Sequence, residues 1–485
     1  MRFCVAITVL LLVLVPNDVR GETFERGLAV TDLQTLHELD GERLGLNRML
    51  GLSRAAPLTN DALFALPSMA PLRRALDAEF KRYIERHEAT LPRETIGIGA
   101  PHDFQLFDSS KLYSADTRFV LAGIINRMDR AYVAPETCGE IRLIYRLTQI
   151  GETAPSRLPM TLNLVLRARL PADTLGCAEI ARRWLASDPP LALLTSDQID
   201  RIETNLQIAH APKSASREFR TDYLQKVFRY DPANRNFVEA PLENQIDRDR
   251  LLGDAALAQD FKAWLLAPEN LAVFDAGTIL IPDRFLATGS VASTPAGLAR
   301  SALQPSFGLM QSDDAGRHAV FTDDDVVTAL RASARGIALQ NIRSLAGFAR
   351  RLNDISCGGC HQVRGIGGFH FPGADALAPA SSTAVVPASP HFTGDQPRRR
   401  DILNAMRDGI APDYSRGFSD RPQLPRSHAL AGSEVLDGWG ATCYRPRAKP
   451  ADNDASFKLW NCAEGLSCQP VGADEMAHIG MCFVK

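Results

Sequence analysis

The chain has 485 residues, with 54 lysines and arginines against 57 aspartates and glutamates, a formal net charge of −3. That balance excludes the basic footprint of a nucleic-acid binder and gives no pull toward an acidic membrane surface. Hydrophobic residues make up 45%, so a chain of this length has ample core for roughly two to four domains.

Residues 1–21 read as a signal peptide. Met1-Arg2 is a short positive start, residues 3–15 form an apolar run, Pro16 ends it, and Val19-Arg20-Gly21 offers small residues at a cleavage point before Glu22. The run is short for a bilayer span, and an uncleaved anchor is the alternative. No later segment is apolar enough to cross a membrane, so no stable span is expected after cleavage and the protein is expected in the periplasm or outside the cell. Of nine cysteines, Cys4 falls in the leader, and the even remainder suits an oxidising compartment. Cys138 and Cys177 are expected to pair. Cys443, Cys462, Cys468 and Cys482 are expected to form two bridges, with all three pairings open. Zinc is the rival for these four, but paired CxxC knuckles are missing.

Residues 22–95 are expected to be helical. Leu72, Leu76, Phe80 and Ile84 recur at four-residue steps, the mark of an amphipathic helix packed on a core. Residues 96–310 are expected to form an α+β body. Residues 119–128 are a long apolar run. Ile141, Leu143, Tyr145 and Leu147 alternate with Arg142, Ile144 and Arg146. Met160, Leu162, Leu164 and Leu166 alternate with Thr161, Asn163, Val165 and Arg167. Period two with a polar face predicts an antiparallel sheet covered on one side. A Cys138–Cys177 bridge would staple its edge to a helix carrying Ile180, Trp184 and Leu185. Residues 223–230 and 237–240 flank Asp231-Pro232-Ala233-Asn234, a hairpin signal. Helices are predicted over 196–209 and 246–266.

Residues 311–435 contain the most informative stretch. Thr322 and Asp325 make a capping box that opens a helix to Ala334, and a second helix is predicted over 341–352. Directly after it comes Ser356-Cys357-Gly358-Gly359-Cys360-His361. Two cysteines separated by two residues, followed by histidine, are the attachment signature of haem c. Each thiol adds to one vinyl group, and the histidine then lies under the ring, where it ligates iron. The alternative is a plain Cys357–Cys360 disulfide. The glycine-rich stretch from Arg364 to Gly373 holds His370, and residues 374–390 read as an irregular connector. Residues 436–485 read as a cysteine-rich module, too small to fold without its bridges.

The CxxCH motif resembles that of the c-type cytochromes, and Asp401-Ile402-Leu403-Asn404-Ala405-Met406-Arg407-Asp408-Gly409 is similar to the last helix of a small cytochrome c. The resemblance implies one covalent haem on Cys357 and Cys360, with His361 on the metal and a redox partner protein. It also implies a ligand methionine after the glycine. Here Ile410-Ala411-Pro412 follows instead, and Met406 reads as core. The sixth position is therefore assigned to His370 or left open, with His391 and His428 as further histidines. Arg364 and the run Arg398-Arg399-Arg400 could pair with haem propionates; a solvated basic turn reads equally well. Three functions follow. The first is electron transfer by an exported mono-haem protein. The second is a haem-dependent oxidoreductase of peroxidase or oxygenase type, with His370 and Arg364 as catalytic candidates. The third is a non-haem secreted binding or structural protein. HExxH, GxSxG and P-loop motifs are absent from the sequence, and Gly97-Ile98-Gly99 lacks the third glycine of a dinucleotide site. The fold class expected is α+β and multi-domain: an antiparallel sheet body, a mostly helical haem-binding region and a small disulfide-rich C-terminal module.

Overall fold

The computed structural model describes residues 27–52, 56–150, 156–168, 176–186, 190–211, 220–294, 320–334, 336, 338–358, 390–417, 442–445, 454–457, 460–462, 465–470 and 479–484. The leader, residues 1–21, and the connector at 374–389 lie outside them. The chain opens with β1 (Ala29–Val30), then α1 (Leu33–Gly41), α2 (Leu46–Met49), α3 (Asn60–Phe64) and α4 (Ala70–Thr90). Pro71 sits in the first turn of α4, where its missing N–H costs nothing. Leu72, Leu76, Phe80, Tyr83 and His87 line its buried face, so the helical N-terminal reading holds, with Tyr83 and His87 continuing the stripe in place of the half-buried Ile84.

β2 (Ile96–Gly97) and β3 (Phe104–Leu106) precede the long strands β4 (Thr117–Arg127), β5 (Glu140–Gln149) and β6 (Ser156–Arg167). After α5 (Cys177–Leu185) come β7 (Ile199–Ala211), β8 (Arg220–Asp231) and β9 (Asn236–Ala240). β1, β4, β5, β6, β7 and β8 lie side by side and antiparallel. β9 forms the expected hairpin with β8, and β10 (Gly289–Thr294) continues along the same edge. Leu121, Leu143, Tyr145, Leu162, Leu164, Ile202, Leu206 and Phe228 join Leu36, Leu72, Leu76 and Phe80 in the main core.

Residues 196–209 do not form the predicted helix: after a single 3-10 turn at Ser196–Gln198, β7 occupies them from Ile199. Ile202, Leu206 and Ile208 face the core, while Arg201, Glu203 and Asn205 face the other way, as period two requires. Cys138 and Cys177 are bonded. Cys138, however, leads into β5, which has strands on both sides, so the bridge ties α5 to the middle of the sheet rather than to its edge.

A second core forms from α6 (Arg248–Gly253), α7 (Ala255–Leu266), α8 (Pro268–Ala276), α9 (Asp323–Ser333) and α10 (Leu345–Asp354). Phe261, Phe274, Phe285, Phe321 and Phe348 fill it. The predicted 246–266 helix is broken at Asp254, whose carboxylate caps α7 by accepting from the Ala256 and Leu257 N–H groups. The Thr322–Asp325 capping box opens α9. α10 starts at Leu345, not at Asn341. The buried Asp275 carboxylate takes the N–H groups of Gln340, Asn341 and Ile342 at 2.6, 2.9 and 2.6 Å, which holds them out of a helix. Ser344 then caps the Gly347 N–H at 2.9 Å. α11 (Pro390–Arg407) packs against α5, and Met406 is buried in the main core, as read. At the C-terminus, β11 (Thr442–Tyr444), β12 (Leu466–Pro470) and β13 (Ile479–Val484) make a small sheet ordered β11-β13-β12. Its bridges are Cys443–Cys468 and Cys462–Cys482.

Candidate functional site

The end of α10 delivers Ile355, Ser356, Cys357 and Gly358 to the sheet. Cys357 packs against Val227, Ala240 and Leu242, and its Sγ lies 3.8 Å from the Glu243 carbonyl oxygen. The Gly358 N–H donates to Gln245 Oε1 at 2.8 Å. A Cβ on Gly358 would stand 2.7 Å from Ser290 Oγ, so this glycine permits close approach to the sheet edge. Cys360, His361, Arg364, His370 and His428 lie outside the described residues. His391 falls within α11.

Cys357 lines a cavity of about 1050 Å³. The floor of that cavity is the polar side of β5–β8. The sequence predicts a sheet with one covered face, yet Arg142, Asn163 and Gln225 on the other face are 2%, 0% and 4% exposed. Both faces are therefore enclosed, the second by polar contacts. Arg142 donates to Glu140 at 2.9 Å and to Glu203 at 2.8 Å. Arg201 reaches Glu140 at 2.7 Å and Glu203 at 2.9 Å. Arg130 spans from Glu140, at 3.3 Å, to Glu243. Arg130 thus links the charged floor to the residue whose carbonyl lies beside Cys357.

A second cluster joins the sheet to α11. Arg127 grips Asp129 with Nε at 2.8 Å and Nη2 at 3.2 Å. Arg398 donates to Asp129 at 2.8 Å and to Asp395 at 2.7 Å. Arg399 donates to Asp395 at 2.7 Å. Arg398 and Arg399 therefore stand inside a helix with carboxylate partners, and not on a solvated turn ahead of one.

Burial opposes the charged form of Glu140, but Arg201, Arg130 and Arg142 outweigh it and hold the carboxyl well below its usual range. For Asp129 burial likewise pushes up, and Arg127, Arg399 and Arg398 together pull it well down. These groups are ionised at neutral pH, and the site is a salt-bridged interior. Several cavity-lining side chains retain buried atoms with no hydrogen-bond partner among the described residues, among them both amide atoms of Asn163, Oε1 of Gln225, Nε of Arg416 and Nη1 of Arg399. Such atoms are rare in protein interiors, where bound water or a ligand meets them.

Sequence reasoning located Cys357 and named Arg398 and Arg399, but it missed Arg127, Asp129, Arg130, Glu140, Arg201, Glu203 and Asp395. The available signal was the alternation of charge with apolar residues along strands too hydrophobic to lie at a surface. No family model, curated protein or solved structure matches this chain.

Proposed function

We propose that the chain is an exported, mono-haem c-type cytochrome-like protein that takes part in electron transfer with a redox partner protein. The observation that carries this reading is the seating of Cys357, the first cysteine of the single CxxCH, in the wall of a large cavity floored by buried arginines. The cavity is just above the range of roughly 300–1,000 Å³ that small-molecule and cofactor sites occupy, and the arginines among its lining residues suit an acidic prosthetic group. In this reading Cys357 and Cys360 hold the ring by thioethers, and His361 is the proximal ligand. When bound, the haem supplies one-electron iron chemistry. The protein's own residues do the rest. Gln245 fixes the N–H after the first cysteine, Gly358 lets the backbone lie on the sheet, and the ion-paired floor excludes bulk water.

A second reading is favoured by a specific observation. Asn163 and Gln225 line the same cavity and carry amide atoms with no hydrogen-bond partner among the described residues, polar groups suited to a small polar molecule. The protein would then be a haem-dependent oxidoreductase, with His370 and Arg364 as its catalytic candidates.

The test is a pyridine haemochrome spectrum together with intact mass, on protein exported in a host with haem-maturation machinery. A haem band that survives acid-acetone extraction, with mass raised by one haem, supports the proposal. A low-spin six-coordinate spectrum favours electron transfer. A high-spin spectrum with a peroxide-dependent Soret shift favours the oxidoreductase. A colourless protein of apo mass overturns both readings and leaves a secreted binding or structural protein held by disulfides.

A further inference from the structure

Around α11, among the described residues, three buried guanidiniums pair directly with two carboxylates. Arg127, Arg398 and Arg399 share Asp129 and Asp395. Arg127 and Arg399 are 4% and 2% exposed, and Asp129 is 4% exposed. Arg398 is engaged at both carboxylates, and Arg127 binds Asp129 with two nitrogens. Arg399 bonds through Nε to Asp395 and is one of the residues lining the cavity, and its Nη1 is buried without a partner among the described residues. Burial and the neighbouring Arg127 pull the Arg399 guanidinium down to about 10 against the support of Asp395 and Asp129. A buried guanidinium N–H left unbonded is unfavourable, and a guest anion relieves it.

We infer that the cavity binds a carboxylate group against Nη1 of Arg399, with Arg127 supplying adjoining positive charge. A carboxylate suits the site because three guanidiniums meet two carboxylates there, and because its planar oxygens match a guanidinium N–H. The group has two possible sources, a haem propionate or a free small carboxylic acid. The propionate source rests on the haem proposal above; the free-acid source does not.

The test uses the full-length exported protein and its Arg399→Gln and Arg399→Lys variants. Acetate and malonate are titrated calorimetrically at constant ionic strength, and where haem is present its midpoint potential is followed against pH. For a free acid, either probe saturates the wild type, and Arg399→Gln weakens it at least tenfold. For a propionate, neither probe binds, and Arg399→Gln lowers the midpoint potential and adds a titration to its pH profile, because a negative charge has lost its partner. Arg399→Lys gives a smaller change of the same sign in either case, and it decides the matter if Arg399→Gln does not fold. The inference is overturned if no probe binds and the potential and its pH profile are unchanged in both variants, or if a probe binds the variants as tightly as the wild type. A colourless protein that binds acetate through Arg399 removes the haem proposal and keeps this one. A colourless protein that binds neither probe removes both.

Discussion

Glu140 accepts from Arg142 and Arg201 and faces Arg130, at the centre of a largely buried floor. Replacing it with glutamine leaves three buried guanidiniums short of a charge, so Glu140→Gln is expected to lose about 3–5 kcal/mol, read as a lower midpoint in urea unfolding. Acid should act on the same group. Glu140, Glu203, Asp129 and Asp395 all titrate below their ordinary values in the folded protein. A depressed carboxyl contributes stability that is fully present above its unfolded pKa of about 4 and is lost as pH falls toward the folded value. These carboxyls are therefore expected to contribute nothing to the pH dependence from neutrality to about pH 5 and a steep fall below about pH 4, beside a shallow loss below about pH 6.5 from His210, which burial holds below its ordinary value; pH-dependent urea titrations check this. A steep fall above about pH 5 that persists in a His210→Gln variant would contradict the ionised assignment. At this scale the sequence was legible only where chemistry is carried by adjacent residues. Cys357 announces itself through its neighbours. Glu140 looks like any strand residue until Arg201, sixty-one positions on, arrives beside it.

The turn into β5 shows how an element is held in place. Gly139 has φ +93°, and a Cβ there would stand 2.6 Å from Met128 Cα. Gly139→Ala is expected to cost about 1–3 kcal/mol, and because Arg127 and Glu140 flank the clash, it should loosen both charge clusters. Thermal melting checks the first effect. Next to it, the Cys138–Cys177 bridge closes a sequence separation of 39 residues. Replacing both cysteines by alanine should lower stability by roughly 2–4 kcal/mol, measured by equilibrium unfolding. β7 explains why one element was misjudged. Ile199, Ile202, Leu206 and Ala209 fall at steps of three, four and three, so the segment satisfies a helical stripe as well as a strand alternation. Pairing with β6 and β8 decides between them, and that choice is tertiary. β5 and β6 carry stricter alternation and were read correctly.

Across the whole molecule, the sheet with its helices, the phenylalanine-rich helical core and the C-terminal sheet differ in what holds them. The first two bury extensive apolar surface. Among the described residues the last has a buried cluster of Cys443, Leu466 and Cys482, a small core that its bridges carry. Reduction with dithiothreitol under native conditions is expected to open β11–β13 to hydrogen exchange while β5–β7 stay protected. Equal loss of protection in both would show that the bridges brace the entire structure. The α+β class and the two terminal bridges were legible because they follow from alternation and cysteine count. The enclosure of the polar face was not, because the covering segments lie far along the chain and their charges carry no local pattern.

Arg398 meets Asp129 across 269 positions of sequence. A ribosome lays down β4–β8 well before residues 390–407 exist, so for that interval the charged floor is solvated and its cavity stands open. Contacts of such long range are slow to form and come late. Residues 357–361 emerge after the floor and before the helix that completes the wall, so the order of synthesis places the two-cysteine segment ahead of the closing step. A chain ended before residue 390 would make the floor and the cysteines but never shut the chamber.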